Sequence, residues 1–216
     1  MSRDEALAHA RTIVSATPLP VSADLENGFG DAPETVAETI RVAADAGLVG
    51  ASIEDATGDP KRPIYDASLA VERIAAAVEA ARALAFPFTL TARAENFLNG
   101  RPDLDDTIRR LQAFEAAGAD VLYAPGLRDL AMIRTVCAAV GRPVNVIMGL
   151  AGAAFSVDDL AAAGVRRISL GSALARAALG AFLRAAREIR ERGTFSFAED
   201  AASFADLDPF MAPRAG

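Results

Sequence analysis

From Pro20 to Arg192, short apolar runs alternate with longer helical patterns, and few folds accept that alternation. The runs cover residues 21–24, 49–54, 88–92, 120–123, 144–148 and 167–170. Between and after them the spacing predicts helices over 34–46, 67–85, 104–117, 129–140, 157–163 and 173–192, with a charged amphipathic helix at "SRDEALAHARTIV" ahead of them all. Asp31 with Pro33, Asp66, Asp103 and Ser156 stand where helix starts call for capping chemistry. "ADAGL", "AAGAD" and "AAAGV" each set a glycine at a helix end, where the left-handed cap costs glycine little. Strands separated by helices in this way imply a parallel sheet buried on both faces, either a closed barrel or an open doubly wound sheet.

The barrel is favoured by polar residues that recur at strand ends, namely Asp24, Glu54, Arg93, Asn145 and Ser169, as when successive loops build one shared site. "NGFGDAPE" has Gly28 and Gly30 but no third glycine at the helix start, so the dinucleotide fingerprint of a doubly wound sheet is missing. Yet the six strand–helix units fall short of the eight of a closed barrel, and 216 residues fall below the roughly 250 typical of it. Nothing resembling a linker divides residues 1–192, which read as one barrel domain. Residues 193–216 form a tail carrying Phe195, Phe197, Phe204, Phe210 and Met211, too short to build a core of its own.

A net charge of -7 and a pI near 4.8 argue against nucleic acid or anionic membrane surfaces as partners, since both need clustered basic residues. No apolar run is long enough to span a bilayer, and the first residues lack the layout of a secretory signal. The lone Cys137 excludes an intrachain disulfide and fits a reducing cytoplasm; its mid-helix spacing reads as packing. His9, set between alanines, is assigned no chemistry. A small molecule is the expected partner.

Asp24 and Glu26 flank Leu25, so on an extended segment both carboxylates point the same way, and Glu54 ends the neighbouring strand. Three carboxylates without histidine or cysteine suit a hard, oxygen-loving ion, Mg²⁺ before Mn²⁺; the plainer reading is that they cap helices. Arg93, in "TLTARAENF", projects into the same mouth with Glu95 two residues on. Its guanidinium suits a carboxylate or phosphonate, or an internal salt bridge to Glu54 or Glu95. Asn145 offers a neutral amide there or serves a turn, and Gly171 with Ser172 in "SLGSALAR" offers backbone amides to a phosphate.

Taken in order, "DLENGFG", "SIED" and "TARAE" resemble the isocitrate lyase and phosphoenolpyruvate mutase superfamily, over about Ser2 to Gly193. The resemblance implies a (β/α)8 TIM-type barrel that here lacks its first strand–helix–strand block, about 60 residues with a carboxylate-binding loop. It places Asp24, Glu26 and Glu54 at the metal, with glutamate where the family has its second aspartate. It sets Gly28 and Gly30 at the family's two glycines and Arg93 at the arginine that contacts the substrate; with Asn145, read only from its place at a strand end, these are the expected substrate-binding residues. The implied activity is that of a Mg²⁺-dependent lyase making or breaking a C–C bond of a small oxo- or hydroxy-carboxylate through an enolate. Phosphonopyruvate mutase or hydrolase chemistry and a non-catalytic relative are the alternatives. In the loop "ATGDPKRPIYD", Lys61 stands one residue from the family lysine and joins Arg93 as a catalytic candidate. The cysteine and histidine that isocitrate and methylisocitrate lyases carry there are missing, and the mutase pattern departs at Arg62 and Pro63. Family members exchange a C-terminal helix, which implies a homodimer or homotetramer.

Overall fold

Each strand-like run forms a strand and each helical pattern a helix, with bounds within a few residues of those the sequence implies. A computed structural model of the chain describes residues 1–149 and 155–211. The order is α1 (Arg3–Ala16), β1 (Ser22–Asp24), α2 (Pro33–Asp45), β2 (Gly50–Glu54), α3 (Ala67–Arg82), β3 (Thr89–Arg93), α4 (Leu104–Ala116), β4 (Val121–Tyr123), α5 (Leu130–Ala139), β5 (Val144–Ile147), α6 (Val157–Ala162), β6 (Arg167–Ser169), α7 (Ala173–Arg192), a 3-10 turn (Ser196–Asp200) and α8 (Phe204–Met211). Asp103 and Ser156 cap α4 and α6 through their side chains, as expected. Asp66 sits at the start of α3 without a side-chain bond. Asp31 does not cap α2: Ala32 is the capping residue, Pro33 opens the helix, and the Asp31 carboxylate instead accepts from Tyr65 Oη at 2.6 Å.

The six strands pair in parallel in the order β1-β2-β3-β4-β5-β6. Because the order never reverses, there is no topological switch point, and the sheet is a curled half-barrel rather than a doubly wound sheet. Register decides which side chains share a face: Glu54 lies beside Arg93, Arg93 beside Tyr123, Tyr123 beside Asn145 and Asn145 beside Arg167. The intervening Ala51, Ile53, Leu90, Ala92, Leu122, Val144 and Val146 face the other way and are buried. They share one core with Val36 and Ile40 of α2, Ile74 and Ala77 of α3, Leu111 and Phe114 of α4, and Ile133 and Val136 of α5.

The expectation that both faces of the sheet are buried holds for the central strands, where Thr91, Val121, Tyr123 and Asn145 on the inner face are buried. That face mixes polar side chains with Val121 and Ile147, and only towards β1 and the start of β3 do Ser22 and Thr89 stand exposed on it.

The chain divides into two compact units, Met1–Ser169 and Leu170–Gly216. In the second, α7 ends at Gly193, whose left-handed φ of 65° lets its N–H reach the Ile189 carbonyl. Glu188 Oε1 accepts from Thr194 Oγ1 at 2.7 Å and from Ser196 N at 2.7 Å, so the residues after Arg192 are tied to α7. Gly171 and Ser172, read as phosphate-binding amides, belong to this unit, where Ser172 precedes α7 without a side-chain cap. Among the described residues no helix is long and apolar enough to cross a membrane.

Candidate active site

At Asp24 the first strand ends and the chain turns at once. Gly28 N donates to Leu25 O at 2.8 Å, and Glu26 takes a left-handed φ of 54°. Asp24 and Glu26 therefore do not share one side of an extended segment, because the extension stops between them. Two backbone bonds, Leu25 N to Ser52 O at 3.1 Å and Glu54 N to Glu26 O at 2.9 Å, hold the turn on β2. Gly28 (φ 77°) and Gly30 explain themselves sterically. A β-carbon on Gly28 would lie 3.1 Å from Val36 Cγ2, and one on Gly30 would lie 2.7 Å from Thr35 Cγ2.

Arg93 stands at the centre of the cluster. Its Nη1 pairs with Asp24, its Nη2 lies 3.0 Å from Glu54 Oε2 and 2.8 Å from Glu95 Oε1, and its Nε donates to Glu95 Oε1 at 2.9 Å. The guanidinium carbon lies 5.2 Å from the centroid of the Tyr123 ring. Arg93, Glu54 and Glu95 have side chains only 11%, 14% and 4% exposed, whereas Asp24 is 59% exposed.

Burial opposes the charge on Arg93, but Glu95, Asp24 and Glu54 outweigh it and hold its pKa above the ordinary value. Burial pushes the Glu54 carboxyl up to about 8 against the pull of Arg93, with Glu95, Asp24 and Glu26 adding to the rise. Glu95 is raised by burial too, again against Arg93. Tyr123, pushed up to about 12 chiefly by burial, stays a neutral phenol.

Three carboxylates, Asp24, Glu54 and Glu95, thus face one guanidinium, beside a cavity of about 550 Å³ lined by Glu26, Phe29, Glu54, Thr57, Glu95 and Leu98 among others. All the charged donors there are hard oxygens, and their negative charge exceeds what Arg93 neutralises. That chemistry suits a divalent cation of the Mg²⁺ type, and Asp24, Glu26 and Glu54 are the residues that could hold one. Among the described residues no three acidic, histidine or cysteine side chains already stand in the arrangement of a bound metal. Arg93 lies between Asp24 and Glu54.

Asn145 faces inward beside Tyr123 but is buried, its Nδ2 donating to Ser169 Oγ at 3.0 Å. Lys61 is exposed on a hairpin closed by the Ala56–Ile64 bridge, and the base of that hairpin, not Lys61, lines the cavity. Exposed His9 and half-buried Cys137 stand apart from the cluster.

Sequence reasoning gave Glu95 no role beyond a salt-bridge partner and did not single out Tyr123. The alternation that placed Arg93 in the mouth extends two residues on to Glu95, and Tyr123 ends the next strand. Asp55, next to Glu54 in "SIED", reads from the sequence equally as a helix cap and as part of the acidic cluster. The structure buries Asp55 as a brace instead, accepting from Glu95 N at 2.7 Å and pairing with Arg110 Nη1 at 3.0 Å.

A family model described as phosphoenolpyruvate phosphomutase matches residues 1–190. The chain belongs to the isocitrate lyase/phosphoenolpyruvate mutase superfamily. Within that superfamily it is 33% identical over 170 residues to 2-methylisocitrate lyase of Escherichia coli (strain K12), covering 75% of this chain and 56% of the relative. The chain thus spans little more than half the length of that curated relative. It also resembles a solved protein of Burkholderia cenocepacia J2315 described only as a lyase/mutase, at 64% identity and a TM-score of 0.95, covering 99% of this chain and 77% of that one. A phosphonopyruvate hydrolase solved with oxalate and Mg²⁺ is similar at 25% identity and a TM-score of 0.81, over 98% of this chain and 75% of that one. The superfamily thus includes Mg²⁺-bound members as well as C–C lyases.

Proposed function

We propose that this superfamily member is a Mg²⁺-dependent lyase that makes or breaks a C–C bond of a small oxo- or hydroxy-carboxylate. The observation that carries the reading is the Arg93 guanidinium ringed by Asp24, Glu54 and Glu95 at the carboxyl end of a curled parallel sheet, beside an acidic cavity. A bound divalent cation supplies Lewis-acid stabilisation of the negative charge that develops on an enolate. Asp24, Glu26 and Glu54 would hold it, and Arg93 would orient the substrate carboxylate while Glu95 fixes the guanidinium from behind. Tyr123 keeps its hydroxyl proton and packs against Arg93, leaving Lys61 on the adjacent hairpin as the proposed proton carrier.

Phosphonopyruvate chemistry is the second reading, favoured by the likeness to the phosphonopyruvate hydrolase. The cytoplasmic setting and the completion of the half-barrel by strands outside these residues belong to the same proposal.

Calorimetric titration with Mn²⁺ tests the metal assignment. The protein is expected to bind it, and Asp24→Ala to weaken binding roughly a hundredfold, as loss of one charged oxygen ligand does. Equal affinity in both proteins would sink the assignment. Turnover of oxaloacetate, 2-methylisocitrate-like acids and phosphonopyruvate then separates the two chemistries.

A partner proposal rests on the second unit, where Leu174, Phe182, Phe195, Phe204 and Phe210 are each at least half exposed. A second copy of this chain is proposed to cover them in a dimer or tetramer. Light scattering is expected to give an oligomer that deletion after Arg192 weakens; a strict monomer, or an oligomer indifferent to the deletion, would count against it.

A further inference from the structure

Arg73 is 1% exposed on the core-facing side of α3, yet it makes no ion pair among the described residues. Its guanidinium is spent on backbone instead. It donates to the carbonyls of Asn27, Gly30 (2.6 Å) and Asp31 (2.5 Å), all in the loop that follows β1. That loop needs holding, because Glu26 and Phe29 adopt left-handed φ values of 54° and 62° without being glycine. Such conformations cost about 1–3 kcal/mol each and persist only where the surroundings over-determine them. A planar fork reaches three carbonyls at once, which the single ammonium of lysine does not.

The face of the same guanidinium lies 4.2 Å from the centroid of the Tyr65 ring. Tyr65 Oη donates to Asp31 Oδ1 at 2.6 Å and accepts from Asn27 Nδ2 at 3.1 Å, while Asn27 Oδ1 accepts from Phe29 N at 3.0 Å. The Tyr65 backbone is fixed independently: its N–H donates to Asp55 O at 2.8 Å, and its carbonyl accepts from Arg110 Nη1 at 2.9 Å. Tyr65 directly follows Ile64, which bridges to Ala56 and closes the hairpin over residues 56–64. Glu26 and Phe29 from the loop and Thr57 from the hairpin line the same acidic cavity.

We propose that Arg73 and Tyr65 are positioning residues that lock the loop over residues 26–31 to the hairpin over residues 56–65, so that the lining residues these two segments give the acidic cavity hold one geometry. Neither reaches the cavity; both act through the loop that presents Glu26. The link to metal rests on the proposed function, whereas the link between the two segments does not.

The test is amide hydrogen exchange on full-length protein, read peptide by peptide, with Tyr65→Phe and Arg73→Met. Tyr65→Phe keeps the ring under the guanidinium and removes only the hydroxyl. It is expected to speed exchange roughly five- to tenfold in both segments together, the size of one lost hydrogen bond, while peptides from β2 and β3 stay at the wild-type rate. Arg73→Met should do the same more strongly. If it does not fold, Tyr65→Phe decides alone.

Faster exchange in one segment only, no change in either, or uniform loosening of the sheet would overturn the proposal. A parallel Mn²⁺ titration should show roughly tenfold weaker binding in Tyr65→Phe, as loss of an outer-shell partner does. Failure of the wild-type protein to bind Mn²⁺ would overturn the metal reading and leave the exchange result to judge this one.

Discussion

Arg93→Ala is expected to unfold far more easily than the wild-type protein at pH 8 and to lose all turnover, while binding Mn²⁺ at least as tightly. The substitution strands Glu54 and Glu95, whose side chains are 14% and 4% exposed, without the guanidinium at 3.0 and 2.8 Å. Breaking a buried ion pair from one side costs about 3–5 kcal/mol, against a total stability of about 5–15 kcal/mol for a domain. The pH dependence has a definite sign. In the folded wild-type protein Glu54 binds its proton more tightly than the ordinary value of 4.5, up to about 8. Stability from this group is therefore complete below about 4.5 and is lost as the pH rises through about 8. Removing Arg93 takes away the contribution that lowers both glutamates, so the pH slope steepens and the variant recovers part of its stability near pH 6.

The metal arm moves the other way, because Asp24 and Glu54 no longer share their oxygens with a guanidinium. Urea unfolding at pH 6 and pH 8.5, with Mn²⁺ titration of the same samples, reads all of this. Equal stability of the two proteins at pH 8.5, or retained turnover, would remove Arg93 from the centre of the site. Asp24→Ala is the contrast, since it should lose both metal affinity and turnover.

The elements were legible because local chemistry and pattern agree in this chain. Asp103 and Ser156 cap the helices they precede, and Gly47, Gly118 and Gly164 take left-handed φ values of 90°, 102° and 95° before the next strand. Arg93 was legible because the alternation of "TLTAR" points it inward with Thr89 and Thr91, and the register then sets it beside Glu54. The geometry of Asp24 and Glu26 was not, because a turn that begins at Leu25 breaks the period on which the inference relied. Asp31 looked like a cap and is instead the acceptor of a tyrosine 34 residues away, a contact that no local rule encodes.

Arg73 and Arg110 left a trace that went unread. Arg73 lies on one helical stripe with Ala70, Ile74 and Ala77, and Arg110 with Thr107, Leu111 and Phe114, all of them buried. An arginine at the i+3 position of an apolar stripe must find partners inside the protein. Here Arg73 finds loop carbonyls and Arg110 finds Asp55 and Asp106.

On the proposed closure of the half-barrel, adding a strand–helix–strand block of about 60 residues on the β1 edge is expected to raise solubility and turnover above those of the 216-residue form. The reason lies in the sheet. Among the described residues, β1 pairs only with β2 and β6 only with β5, so both edges of a parallel sheet are open. Open edges present unpaired backbone groups that recruit other chains. The inner face compounds this, because Ser22, Asp24 and Thr89 are exposed side chains on a surface that a closed barrel would fill. Asp24 is the residue most affected: it stands on the edge strand, pairs with Arg93 and is 59% exposed.

Closing the barrel should therefore order Asp24 and shield the acidic cavity from bulk water, which strengthens every charge interaction within it. Expressing both lengths and comparing soluble yield, exchange protection of β1 amides and turnover with Mg²⁺ makes the comparison. Protection of residues 22–24 should rise by more than an order of magnitude in the longer form, because their free-side amides gain strand partners. A short form as soluble, as protected at β1 and as active as the long one would mean that the half-barrel satisfies its own edges, and the proposed closure would fall.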